Sequence, residues 1–439
     1  MKRSTVCNSI EGQTNAKNTD FCNTSIQKSA GSRLYDDKGH AYIDLSSQTL
    51  YNLLGHNISE IQEGIKTHLS KSQETSSLPY ENQMTQNLCE RIQQELPRRE
   101  QWNIEFLESD TNAIDKALLT AFQYWHSKRE TDREMILTFA HAHHGDILSS
   151  MNFNASFDNH NHFQNFLIPT EYIPYPSTWH LDNKVDLKEK LALDRLEEIL
   201  KENHTRCAAL IMEPLLQSKN GMQACRPSFI NKVIETVKKY NLLTISDERY
   251  LSPARSGRFF VSQFLNTTPD MIIIGSGLTN NVVPMGTLIT TDKIQAQLLK
   301  SEIPNTSKNI NRIACIAASK TIDILQKKTN IPHVNKLQET HMKRLNRLHK
   351  QPIVEHIRDL GSIGAFDIIC EDRSKQKQLI EWIYSNCTKR NLLIQKHDKS
   401  ICLSPPLCLS IKDLNQCYDL IEDIMQNIPL KYITSCIST

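Results

Sequence analysis

In the middle of the chain, apolar residues gather into short unbroken runs. CAALIMEP (207–214), LLTISDE (242–248) and DMIIIG (270–275) each stop at polar or turn-forming residues. Between the first two lies PSFINKVIETVKKY (227–240), whose apolar positions recur every three or four residues, the period of a helix. Runs that are apolar on both faces and alternate with helices predict parallel strands buried in an α/β sheet. The residues at their ends, Glu213, Asp247 and Ser276, are 34 and 29 positions apart, about the length of a βαβ unit. In such sheets ligands collect beyond the carboxyl ends of the strands, so these three residues are expected at one crevice.

The flanking segments follow other patterns. Leu34, Tyr35, Ala41, Tyr42 and Ile43 flank DDKG in the manner of a β-hairpin. From Asn112 the apolar residues Ile114, Ala117, Leu118, Ala121, Phe122 and Trp125 predict a helix, with Asp110 and Thr111 before it as N-cap types. Near the end, HVNKLQETHMKRLNRLHK (333–350) reads as a long charged helix. It leads into the strand-like pieces FDIIC and SICLSP around the helical KQLIEWIYSNCTK, an α+β arrangement that suits a second, smaller domain. The first thirty or so residues are rich in Asn, Ser and Thr, with few apolar anchors, and are expected to be loosely ordered.

Composition narrows the function classes. The 439 residues suit two or three domains, or one large α/β unit with a smaller companion. With 51 basic against 49 acidic side chains, the charge balance points to neither nucleic acid nor an anionic membrane. The twelve cysteines include no CxxC pair and no zinc-like spacing, so they read as reduced thiols and no metal site is expected. MKRSTVCNSIEG lacks the apolar core of a signal peptide, and no run approaches a membrane span; a cytoplasmic protein is expected. The 13 glycines are roughly 3% of the chain, against roughly 7% in average proteins, so sites built on glycine loops start at a disadvantage.

The stretches AALIMEPLLQSKNGM, LLTISDERYLSPARSGRFF and PDMIIIGSGLTNNVVPMGTLITT resemble, in order and spacing, the core of class III aminotransferases. These enzymes have pyridoxal 5'-phosphate (PLP) fold type I. FLESDTNAIDKALLTAFQYWHSKRE, ILTFAHAHHGDILSS and LGSIGAFDIIC extend the resemblance, which spans roughly residues 33–425 and lies nearest the biotin-pathway branch of the family. It implies a large domain (61–328) with a mainly parallel sheet flanked by helices. Residues 33–60 and 329–439 would form the smaller α+β domain, with 1–32 outside both.

Residue by residue, the resemblance retains some of the family's pattern and departs from much of it. Asp247 matches the carboxylate that pairs with the cofactor's ring nitrogen, and Glu213 matches a residue placed near the cofactor. Ser276 stands where the family has the Schiff-base lysine; a hydroxyl can neither form an imine nor readily move the substrate's proton. The phosphate turn, normally Ser-Gly-Ser or Ser-Gly-Thr, is Asp110, Thr111 and Asn112. Losing the glycine restricts close backbone approach, and Asp110 adds negative charge beside an anion site. His143 takes the position of the aromatic residue that stacks on the ring. Gln48 and Thr49 replace two tryptophans of the substrate pocket, and Gln395 replaces the arginine that clamps a substrate carboxylate. The loop that reaches the partner subunit's phosphate reads Pro304, Asn305, Thr306 and Ser307, keeping only the Ser307 hydroxyl.

Two readings follow. In the first, the chain is a degenerate relative unable to transaminate, holding PLP weakly and non-covalently or not at all. In the second, it is an active PLP enzyme using another lysine or an altered chemistry, with Lys308 as the nearby candidate. Either way the resemblance implies a homodimer, because class III relatives build each active site from two chains, and it leaves room for a small-molecule ligand.

Overall fold

The computed structural model describes residues 25–48, 50–70, 83–98, 100–145, 150–153, 167–300, 311–328 and 330–433. Its centre is a seven-stranded sheet. In spatial order the strands are Trp102–Leu107, Gly286–Thr291, Met271–Ile274, Leu243–Asp247, Cys207–Met212, Met135–Phe139 and Thr170–Ile173. The last five pair in parallel, and Gly286–Thr291 runs against both of its neighbours. The three apolar runs are thus adjacent parallel strands, and each is buried along its full length.

Their lack of alternation has a direct cause. Side chains on successive strand residues point to opposite faces, and here each face is covered. Leu210 and Met212 pack with Phe229, Ile230, Val233, Ile234 and Val237 of the helix Pro227–Lys239. Ala209 and Ile211 pack with Ala113, Ile114, Ala117, Leu118 and Ala121 of the helix Asp110–Ser127 on the other side. Full burial of each large aliphatic side chain contributes about 1.5–3 kcal/mol, so the sheet is held from both faces. The helix Asp110–Ser127 starts two residues earlier than its apolar period suggests. Its N-cap is Ser109, whose hydroxyl accepts from the Asn112 N–H, and the expected caps Asp110 and Thr111 form its first turn.

A second group of elements joins the two ends of the chain. The predicted hairpin is present, Arg33–Asp36 pairing with Ala41–Asp44, and Asp36 accepts the Lys38 and His40 N–H groups inside the turn. Ile26–Ala30, within the stretch expected to be loosely ordered, adds as a further antiparallel strand. On the other edge Leu392–Leu393 pairs in parallel with Ile43 and Asp44. Gln395 Nε2 donates to the Ser46 carbonyl at 2.7 Å across a separation of 349 residues. A four-stranded antiparallel sheet, Val354–Leu360, Ile363–Ile368, Ser400–Leu403 and Gln395–His397, lies beneath the helices Asn330–Leu348, Arg373–Lys389 and Ile411–Gln426. The buried Arg255 guanidinium ties these parts together by donating to the Leu50 and Pro405 carbonyls and the Ser362 hydroxyl.

Cys370 departs from the expectation of reduced thiols, since it is disulfide-bonded, whereas eight other described cysteines are free. Among the described residues no helix is long and apolar enough to cross a membrane, and no cluster of His, Cys, Asp or Glu could hold a metal.

Candidate active site

Asp247 closes the strand Leu243–Asp247, and its carboxylate is fully engaged by protein groups. Arg249, two residues on, folds back over it: Nε donates to Oδ1 and Nη2 to Oδ2, both at 2.8 Å, and the Arg249 N–H reaches Oδ1 at 3.3 Å. On the other side His144 Nδ1 meets Oδ2 at 2.8 Å, with its Nε2 3.2 Å from the Thr138 hydroxyl. Such fork-on-carboxylate pairing is among the stronger hydrogen-bond geometries. The pair is dry, the Asp247 side chain being 0% exposed and that of Arg249 3%. Burial alone would raise the Asp247 carboxyl, but the Arg249 charge and the hydrogen bonds from His144 and Arg249 outweigh it. They hold the group well below the usual carboxylate range.

Two tyrosines accompany the guanidinium. The Tyr250 ring lies 5.5 Å from it, and the Tyr51 ring is 5.3 Å from that of Tyr250. Burial pushes the Tyr51 hydroxyl well above its ordinary value; the next contributions come from Tyr250 and Asp110, which raise it further, and from Arg249, which opposes them.

Glu213 follows the neighbouring strand Cys207–Met212 and is fully engaged too. It accepts from the His143 N–H at 3.0 Å, the Ser218 N–H at 3.1 Å and the Ser218 hydroxyl at 2.8 Å. Burial pushes its carboxyl up, the positive influence of His144 opposes this, and the charge of Asp247 adds to it. Ser276, after the strand Met271–Ile274 and Gly275, is buried against Asp110. Its N–H and hydroxyl both donate to Asp110 Oδ1, at 2.8 and 2.9 Å, and the hydroxyl accepts the Met285 N–H at 3.3 Å. Gly275 is what permits this approach: a Cβ there would lie 2.9 Å from Asp110 Oδ1.

Glu213, Asp247 and Ser276 thus follow the carboxyl ends of three adjacent parallel strands, as their spacing predicts. His143 joins them through its backbone, its N–H on Glu213 and its carbonyl accepting Arg249 Nη2 at 3.2 Å. Asn112 is in the first turn of its helix, with its N–H given to Ser109, and Thr111 lies beside Gly145. Gln48 is exposed and accepts from Asn281 Nδ2, while Gln395 is turned onto Ser46. Thr49, Lys308 and the loop residues Pro304, Asn305, Thr306 and Ser307 lie outside the described residues.

Several residues at this site were not singled out in the sequence. His144 is completely buried and bonded to Asp247. Arg249, Tyr51 and Tyr250 were missed altogether. No periodic signal marks Arg249, because the strand ends at Asp247 and the guanidinium returns to that carboxylate through a turn.

A model of the aminotransferase class-III family matches residues 14–425. The chain belongs to that family. It is 28% identical over 409 residues to adenosylmethionine-8-amino-7-oxononanoate aminotransferase of Synechococcus elongatus, covering 91% of this chain and 94% of the relative. The enzyme of the same name from Staphylococcus aureus is 25% identical, with 92% of each chain covered. Among solved structures, a PMP-bound aminotransferase from Vibrio fluvialis superposes with a TM-score of 0.84 at 19% identity, covering 94% of each chain. The fold is therefore that of a class III transaminase.

The residues at the crevice do not fit the PLP of this family. Holding its ring nitrogen protonated needs a carboxylate oxygen free to accept, and here Oδ1 and Oδ2 are met by Arg249 and His144. A phosphate at the start of the helix Asp110–Ser127 would need free N–H donors and no competing anion. The Asn112 N–H is already bonded, and the Asp110 carboxylate stands beside that turn. Covalent attachment needs an amine, and Ser276 offers a hydroxyl that is itself bonded to Asp110.

Proposed function

We propose that this chain is a degenerate class III aminotransferase homologue, akin to the biotin-pathway enzyme, that does not transaminate. Ser276 carries the reading. It takes the position at which the resemblance expects the lysine, and Asp110 holds its N–H and hydroxyl in a turn. General acid–base help alone is worth roughly 10² to 10⁴ in rate, and loss of tethered attack adds to that. Gln395 replaces the expected arginine clamp with a neutral amide bonded to Ser46, which supports the same conclusion. PLP, if admitted, binds weakly and without a covalent bond. The protein is proposed to act as a cytoplasmic homodimer.

The test is an absorbance spectrum of the purified protein with added PLP, followed by borohydride reduction and intact mass. The expected result is no protonated-imine band and no stoichiometric adduct. A single-site trapped adduct would overturn the reading, restore the active-enzyme alternative and identify the lysine by peptide mapping.

A further inference from the structure

We propose that the crevice carries an internal replica of its lost cofactor's charges, with Arg249 standing in for the ring cation and Asp110 for the phosphate anion, so that PLP is excluded by the protein itself. This rests on the non-transaminating reading and adds to it a reason why the fold persists without a ligand.

The two ends of the site are filled by groups of the same sign as the cofactor groups they displace. At the ring end, the Arg249 fork occupies Asp247 at 2.8 Å on each oxygen. An incoming pyridinium would have to displace the Arg249 fork from at least one carboxylate oxygen, loosening a buried guanidinium whose other acceptor is the His143 carbonyl. Weakening the pairing of a buried charge in this way is unfavourable. At the other end, Asp110 Oδ1 accepts from the Ser276 N–H and hydroxyl. An incoming phosphate would meet a carboxylate instead of open donors. Tyr51, its ring 5.3 Å from that of Tyr250, adds aromatic bulk beside the tyrosine that accompanies Arg249.

The arrangement also explains why an unused crevice keeps a buried aspartate. Asp247 without a cation would be an uncompensated charge in the core. Arg249 supplies that cation from within the chain, so stability no longer depends on a bound molecule.

The test uses pyridoxine 5'-phosphate, which has the ring and phosphate of PLP but no aldehyde and so cannot form imines with surface lysines. Binding is measured by calorimetric titration to the full chain and to Arg249→Val, Asp110→Ser and the double variant. The wild type is expected to show no saturable binding below about 1 mM, and the double variant to bind at least about tenfold tighter. Saturable binding to the wild type below about 100 μM would overturn the proposal. So would a double variant that is folded by circular dichroism yet binds no better than the wild type. If the variants fail to fold, Arg249→Gln and Asp110→Asn, which keep polar bulk without the charges, replace them under the same two criteria. A single-site imine trapped on the wild type with PLP itself would defeat the non-transaminating reading, whereas saturable binding of pyridoxine 5'-phosphate without such an imine would defeat only the exclusion, so the two failures are distinguishable.

Discussion

Asp247→Asn removes the charge from one half of a dry ion pair and leaves the other half in place. Three charge-assisted contacts at 2.8 Å are weakened at once: two from Arg249 and one from His144. Bonds to charged groups contribute about 1.5–3 kcal/mol each, but the burial of the carboxylate offsets much of that sum. Breaking one partner of a buried pair costs about 3–5 kcal/mol in general, and that is the loss expected here. Arg249→Met should cost less, about 2–3 kcal/mol, because His144 still faces Asp247. The double variant removes both charges and is expected within about 1 kcal/mol of the wild type, since replacing a whole buried pair is often neutral. The measurement is urea unfolding of all four proteins, followed by fluorescence and circular dichroism together so that coincident transitions justify the free energies.

Sign and pH window follow from the same pair. The folded Asp247 carboxyl lies below its unfolded value near 3.8, so its stabilisation is present at neutral pH. It is lost only as pH falls from about 4 toward the depressed folded value. The carboxylate's contribution to the gap between wild type and Asp247→Asn should therefore shrink below about pH 4. A cost under about 1 kcal/mol for Asp247→Asn, or single effects that simply add in the double variant, would refute the claim that Arg249 is locked onto Asp247.

Three other outcomes are expected. Ser276→Lys alone should give no stoichiometric borohydride-trapped adduct with PLP, because Asp247 and Asp110 remain engaged; a single adduct on the introduced side chain would contradict this. Gly275→Ala should destabilise the protein by about 1–3 kcal/mol in urea unfolding, since its Cβ would press on Asp110 Oδ1 at 2.9 Å. Sedimentation equilibrium should give twice the 50.4 kDa chain mass, and a monomer would remove the basis for a site composed of two chains.

What could be read from the sequence depended on whether a pattern was local and repeated. The strands Cys207–Met212, Leu243–Asp247 and Met271–Ile274 were legible because burial on both faces leaves an unbroken apolar run. The crevice was legible for the same reason, as the run ends mark the carboxyl edge of the sheet. The turn chemistry beyond those ends was not. In DER, Arg249 reads as a charged loop residue, because nothing in adjacent letters shows that the chain folds back on Asp247. Asp110 resembles an N-cap, but Ser109 caps the helix one residue earlier, leaving Asp110 free to bond Ser276, 166 residues away. Of the two adjacent histidines, His143 drew attention by family position, whereas the His144 side chain is the one that touches Asp247.

The strand Ala41–Asp44 is completed on one edge by Leu392–Leu393, and Ser46 by Gln395, 349 residues later. On a ribosome adding 5–20 residues per second, the amino-terminal hairpin emerges roughly 20–70 s before its partners exist. During that interval the edge formed by Ile43 and Asp44 is an unpaired strand, a template for pairing with other chains. Assembly of this edge therefore waits until Leu392 and Gln395 have been synthesised. Synthesis that stops before residue 392 should leave the first folded segment of the chain as the one most in need of a chaperone.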